Sequence, residues 1–268
     1  MINFKFSPSL LDAFQQYLDA ESLYEKFYGF SDRPRLTLQE YEDEQFRSLI
    51  DKINRIPFDS EAMDKGSVFN EIVDCIIMGV KSTRDDIFLQ TKRITGQDYC
   101  VSYIEGKKGD RTFNFDIGFC KDTAEYFKDS LCQTYTEGTI ETDGGTVLLY
   151  GYPDYVRGDM VYDMKTTSKY EFGKYSKYWQ QHLYPYTLIQ SGKCTDIRAF
   201  EFTAFQMRGG NSKNPFISGD KYPEVYVYEH EKSEQKLRNI CNQFIEFLTN
   251  NKSLIRDEKI FGGEKKAS

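Results

Sequence analysis

The sequence predicts one α/β domain, spanning about residues 1–261, with helices gathered at its N-terminal end. Three observations lead there. From Thr139 onward, short runs rich in Val, Leu, Ile and Tyr are broken by turn residues, as strands are. Amphipathic stripes at helical spacing stand before and after them, through Phe69–Val80 and Leu237–Leu248. No repeat, low-complexity tract or linker divides the 268 residues, a length that suits one large domain or two small ones.

Taken in order, Ser7-Pro8-Ser9 followed by Leu10, Leu11, Phe14 and Leu18 reads as a capped helix start with proline in the first turn. Residues 21–60 are polar and aromatic and read as helices and loops. Lys65-Gly66 opens a helix with Phe69, Ile72, Val73, Ile76, Ile77 and Val80 on one stripe. Tyr99–Ile104 and Arg111–Phe119 look like strands, and Thr123–Cys132 like a helix. Thr146–Val156 and Met160–Thr166 are strands flanking Gly158-Asp159, a two-residue hairpin turn. Tyr175–Gln190 is helical, although Pro185 inside it should kink it or remove a hydrogen bond. Ile197–Met207 and Glu224–Tyr228 are strands, with Arg208, Gly209 and Gly210 marking a loop. Lys232–Leu248 is the last helix, and 262–268 reads as a disordered tail.

Composition narrows the function classes. The net charge of −7 argues against a chain that binds nucleic acid over its whole surface, but leaves room for a local basic groove. The six cysteines are scattered without a C-x-x-C pair, so no structural zinc or iron–sulfur spacing is present. No run of about 18 apolar residues suits a membrane span, and no secretory signal is visible. A reduced cytoplasmic protein without membrane contact is the expectation. Twenty Tyr and 21 Phe fit core filling or a Tyr-rich surface that meets a polar partner.

The hairpin carries the chemistry. With Gly158-Asp159 as its turn, pairing runs Arg157 to Met160, Val156 to Val161, Tyr155 to Tyr162 and Asp154 to Asp163. Two carboxylates then face each other with Cβ atoms roughly 5 Å apart, which is destabilising unless something positive lies between them. Lys165, two residues beyond Asp163, projects on the same face. Hard divalent cations take such carboxylate oxygens, and a nearby ammonium balances charge on a phosphate. A salt-bridged surface hairpin would look the same. With 42 acidic and 35 basic residues, an acid-x-base triplet arises by chance about five times. The added Asp154, in matching register within an apolar strand-forming segment, is what distinguishes this one.

Further segments carry a resemblance. Gly151-Tyr152-Pro153-Asp154, then Val161-Tyr162-Asp163-Met164-Lys165-Thr166-Thr167, resembles the G-x-x-D…(V/I)-x-D-x-K-T core of RecB-type PD-(D/E)xK nucleases. Gln180-Gln181-His182-Leu183-Tyr184 is similar to that group's Q-x-x-x-Y helix. Gly66-Ser67-Val68-Phe69-Asn70-Glu71 is similar to its G-x-x-x-H-E helix, and Ser7-Pro8-Ser9-x-Leu11 to its S-P-S-x-L opening. The four occur in the group's order across about residues 7–190.

The resemblance implies a restriction-endonuclease-like core, a mixed central sheet flanked by helices with N-terminal helical decoration. It also implies hydrolysis of DNA phosphodiester bonds with Mg²⁺ or Mn²⁺, in recombination, repair or phage DNA metabolism and as an exonuclease. Asp154 and Asp163 would be metal ligands, joined by the Met164 carbonyl, and Glu71 would be the helix carboxylate supplied to the metal. Lys165 would be the catalytic lysine. Gln180 and Tyr184, one helical turn apart, would position a metal-bound water or a DNA phosphate. Gln181 with Tyr186 is an alternative pair, one residue too far apart for the motif. Two departures stand out. Asn70 replaces the motif's histidine, and Glu71 lies nearly opposite the apolar stripe of its helix. The four-cysteine iron–sulfur set of some relatives is absent.

Lys169, Lys174 and Lys177, interleaved with Tyr170, Phe172, Tyr175 and Tyr178, follow the proposed catalytic strand. They suit a groove that tracks phosphates and stacks bases, or a solvated loop and helix start. His182 reads as packing beside its helix and His230 as a strand-end surface residue. Asp85-Asp86 reads as a cap. A homo-oligomer and a monomer are equally compatible with the sequence. The alternative reading is a non-catalytic nucleic-acid-binding or assembly module that keeps the nuclease fold.

Overall fold

The computed structural model describes residues 1–97 and 99–262, so the predicted tail beyond Gly262 lies outside the described residues. The N-terminal part is helical as expected, with one addition. A strand, β1 (Ile2–Phe6), precedes α1 (Pro8–Leu18); Ser7 and Pro8 mark the junction as the sequence predicts, but the Ser7 side chain makes no capping hydrogen bond. Five residues ahead of a helix carry too short an alternation to be read alone; β1 exists because β7 (Gly145–Gly151) offers it a parallel partner. Then come α2 (Ala20–Tyr28) and α3 (Leu38–Ile53), the latter opened by a capping box between Thr37 and Glu40. Helix α4 (Glu61–Met78) starts one turn before Gly66, because Ser60 accepts a hydrogen bond from the Met63 N–H and supplies the cap.

The middle of the chain forms a meander of β2 (Ile87–Thr95), β3 (Cys100–Lys108) and β4 (Arg111–Asp116). The expected strand 111–119 stops at Asp116, whose carboxylate accepts from the Phe119 N–H and so opens α5 (Ile117–Tyr126). The helix expected over 123–132 is therefore displaced toward the N-terminus, and Leu131–Cys132 forms the short strand β5.

A second correction concerns 146–156. It divides into β7, which pairs with β1 and with β6 (Thr136–Thr142), and β8 (Tyr155–Arg157), which belongs to another sheet. Pro153 lies in the break and has no N–H to give a ladder. Beyond the Gly158-Asp159 turn runs β9 (Met160–Thr167) in the predicted register, Tyr155 opposite Tyr162, Val156 opposite Val161 and Arg157 opposite Met160. The chain crosses over through α6 (Gln180–Gln190) to β10 (Ala199–Arg208), parallel to β9, and returns as β11 (Ser218–Val227). Helix α7 (His230–Asn250) completes the fold.

The result is a mixed α/β architecture whose five-stranded sheet has the order β11-β10-β9-β8-β5, beside two three-stranded sheets, β1-β7-β6 and β2-β3-β4. Alternate residues of β8, β9 and β10 feed two cores on opposite faces of the five-stranded sheet. Val156, Val161, Phe200 and Phe202 join α1, α6 and α7 on one side. Tyr155, Tyr162, Met164 and Phe205 join α4 and α5 on the other. Among the described residues no helix is long and apolar enough to cross a membrane.

Candidate active site

The face of β9 that carries Val161 also carries Asp163 and Lys165, and it is covered by α1 and α6. Asp163 is 3% exposed, a position a carboxylate occupies only with partners. Its Oδ2 lies 2.6 Å from the Lys165 Nζ, and its Oδ1 accepts from the Gln180 Nε2 at 2.6 Å. Lys165 in turn donates to the Gln180 Oε1 at 2.5 Å. Acid, base and amide thus close a triangle in which Gln180 donates to one charge and accepts from the other. The Lys165 Nζ also stands 5.4 Å from the Tyr178 ring centre and 5.6 Å from that of Phe202, faces that favour a cation.

Gln180 is the first residue of α6, and its place is set from outside the helix. The expected helix over 175–190 begins only there, since residues 172–177 run as turns ahead of it. Asp12 of α1 accepts from the Trp179 N–H at 2.7 Å and so satisfies an amide at the helix start. Gln181 points elsewhere, donating to the Ser176 and Tyr178 carbonyls, so Gln180 is the member of the pair that enters the site. Pro185 remains within α6.

Asp154 sits just ahead of β8, one residue past the last pair of the ladder, Tyr155 with Tyr162. Its Oδ2 accepts from the Met164 N–H at 2.7 Å and its Oδ1 from the Gln133 Nε2 at 3.1 Å and the Asn70 Nδ2 at 3.4 Å. Burial, then Asp163, push its pKa up to about 8, against the pull of Lys165. Burial raises Asp163 too, opposed by Lys165. For Lys165 burial works against the charge, but Asp163, with Asp154 and Asp12, outweighs it and the pKa rises. The site therefore keeps its ammonium charged, while burial disfavours charge on both carboxylates.

Two glycines show how distant segments are drawn in. A Cβ at Gly151 would meet the Tyr184 ring at 2.7 Å and Pro8 at 3.3 Å, so this residue lets the start of α1 and the middle of α6 close over the strand. A Cβ at Gly66 would meet the Thr166 hydroxyl at 2.9 Å, so α4 lies directly on β9. Tyr184 is buried beside Gln180, and burial, then Asp163 and Asp154, raise its hydroxyl well above its ordinary value.

Other predicted residues lie differently. Glu71 keeps company with Cys75, whose thiol donates to it at 3.6 Å, and with Asp74, and no hydrogen bond or ion pair joins it to Asp154 or Asp163. Its neighbour Asn70 makes that contact instead. Lys169 pairs with Glu171 at 2.8 Å and Lys177 with Asp19 at 2.8 Å, while Lys174 donates to the Thr167 hydroxyl at 2.8 Å. Tyr178 is half-buried under Lys165. His182 accepts or donates through Nδ1 to the Ser233 hydroxyl at 3.0 Å, and burial with Lys236 lowers its pKa to about 4, as suits a packing histidine.

Three residues of this neighbourhood escape sequence reading. Asp12 follows the Ser7-Pro8-Ser9 opening, yet nothing in its helix distinguishes it from a solvent-facing acid; burial raises its pKa to about 6. Asp74, one turn beyond Asn70 on α4, is 5% exposed, and burial pushes it up to about 6 against Tyr155 and Gln133. Gln133 follows β5 in a loop that carries no motif. Two surface hollows of about 170 and 560 Å³ are lined by other residues. No family model and no curated protein matches the chain.

Proposed function

We propose that the chain is a Mg²⁺- or Mn²⁺-dependent deoxyribonuclease of the PD-(D/E)xK type with a restriction-endonuclease-like core. The observation that carries this reading is convergence. Segments up to about 170 residues apart in sequence, around Pro8, Gly66, Gly151, Asp163 and Gln180, close on one patch of two carboxylates and a lysine. A salt-bridged surface hairpin has no need of a buried Asp163 or of three helices converging on it.

The residues fit a divalent cation. A buried and a half-buried carboxylate with raised pKa values are what an added positive charge would relieve, and oxygen donors suit Mg²⁺ and Mn²⁺. Among the described residues no group of three or more His, Cys, Asp or Glu is arranged to hold a metal. Asp154 and Asp163 would supply the charge, and the Asn70 side chain and Met164 carbonyl further oxygens. Two carboxylates with water and substrate phosphate completing the shell is an ordinary arrangement for Mg²⁺. Bound there, the cation would polarise a phosphoryl oxygen and acidify water. Lys165 would meet charge developing on the phosphate or orient the attacking water, and Gln180 would hold Lys165 and Asp163 in fixed relation.

The second reading, a nucleic-acid-binding module without turnover, draws on the same triangle: Lys165 is already engaged by Asp163 and Gln180, and the ligand set is short of a third acid. Cleavage of labelled linear and circular DNA with Mg²⁺, Mn²⁺ or EDTA, by wild type and Lys165→Ala, separates the two. Metal-dependent cleavage lost in the variant supports the nuclease, and the circular substrate distinguishes endonuclease from exonuclease. DNA binding by folded protein without cleavage under either metal supports the module.

A further inference from the structure

We infer that Gln133 is a positioning residue that sets the Asp154 carboxylate for cation binding, an inference that rests on the nuclease reading of the site. Asp154 lies outside the strand ladder, and besides the Met164 N–H of β9 and the Asn70 amide its carboxylate meets Gln133. Asp163 stands within β9 and takes its direction from the ladder, whereas Asp154 lies beyond the last paired residue of β8. Its direction must come from its contacts, and Gln133 makes two of them. The Gln133 N–H donates to the Asp154 carbonyl at 2.9 Å, and its side-chain Nε2 donates to the Asp154 Oδ1 at 3.1 Å. One residue thereby holds both the main chain and the carboxylate of Asp154.

The backbone of Gln133 is left-handed, at φ 46°, a conformation that side chains other than glycine, asparagine and aspartate seldom adopt. A glycine there would relieve it at no steric cost. Such a conformation in a long polar residue is retained where the surroundings over-determine it, and it clusters at functional sites. The surroundings here are specific. Strand β5 ends at Cys132 against Tyr155, its partner on β8, and the left-handed step turns the chain so that amide and N–H both reach Asp154.

Asp74 gives the amide a second neighbour. This α4 carboxylate is 5% exposed, lies beside Gln133 and Tyr155, and its Oδ1 is fully buried without a hydrogen-bond partner. A side-chain amide has two N–H donors, so Gln133 can serve Asp154 with one and face Asp74 with the other. A carboxylate in place of that amide would crowd three acids together. The position thus favours a neutral donor of glutamine's length, which is the role of a residue that orients a ligand without binding the metal.

The test uses the full chain and Mn²⁺ alone, followed by the loss of the free-ion resonance on binding. Gln133→Gly deletes the amide while freeing the backbone, and Gln133→Glu keeps the length but inverts the donor. For Gln133→Gly the expected result is roughly tenfold weaker Mn²⁺ binding, with a metal-free Tm equal to or above that of wild type. On linear DNA its kcat should fall by a similar factor with KM little changed. Gln133→Glu should lower the metal-free Tm at neutral pH, because it crowds a third acid against Asp154 and Asp74. Mn²⁺ binding by Gln133→Gly equal to wild type would overturn the positioning role and leave the nuclease reading standing. Wild type that binds no Mn²⁺ would overturn both.

Discussion

Asp74→Asn offers a measurement in which the site's electrostatics can be read without any substrate or metal. Asp74 is a buried acid with an orphaned oxygen, and its pKa stands at about 6 in the folded chain against 3.8 for the free side chain. A raised acid favours folding while it is protonated. Its contribution is fully present below pH 3.8 and is lost as pH rises through about 6. The difference of about two pH units corresponds to about 3 kcal/mol in all, as an upper figure. About 2 kcal/mol of this falls between pH 4.5 and pH 8. Asparagine loses that dependence, and its pH-independent changes in packing cancel when two pH values are compared. The Tm of Asp74→Asn relative to wild type, measured in EDTA, should therefore rise between pH 4.5 and pH 8, by about 5 °C for a chain of this size. Parallel Tm-against-pH curves would refute the reasoning, because they would mean that Asp74 titrates as an exposed acid does.

Other perturbations probe the site more directly. Lys165→Ala should lower cleavage by roughly 10²–10³-fold, and it also strips a buried carboxylate of its cation, so its Tm should fall; full activity on linear DNA would remove the lysine from the chemistry. Asp154→Asn should abolish the Mn²⁺-induced rise in Tm while raising the metal-free Tm more at pH 8 than at pH 5, since Asp154 titrates near 8; a retained Mn²⁺ response, read by thermal denaturation, would count against Asp154 as ligand. Gly151→Ala places a methyl 2.7 Å from the Tyr184 ring and should cost about 1–3 kcal/mol in denaturant unfolding, with activity reduced alongside; an unchanged midpoint would show that the ring gives way freely.

What the sequence by itself determined is local and periodic. The β8–β9 hairpin, its turn and its register follow from a two-residue turn and side-chain alternation, and they put Asp163 and Lys165 on one face with Asp154 one residue past the ladder. The start of α1 and the body of α4 follow likewise from proline placement and apolar spacing. The boundaries that went astray, at Asp116, Pro153 and Trp179, are those set by a single capping or interrupting group inside a continuous apolar pattern. Only the tertiary structure decided which polar residues near the hairpin join it. Gln180 enters and Gln181 does not because Asp12, on a helix 167 residues away, caps the start of α6. Asn70 rather than Glu71 touches Asp154. Asp74 and Gln133 carry no pattern of their own; a buried carboxylate and a left-handed glutamine acquire meaning only from what surrounds them. The physical reason is range: periodicity and turn chemistry act over a few residues, whereas desolvation and charge pairing depend on which distant segments the packed chain brings within a few ångströms.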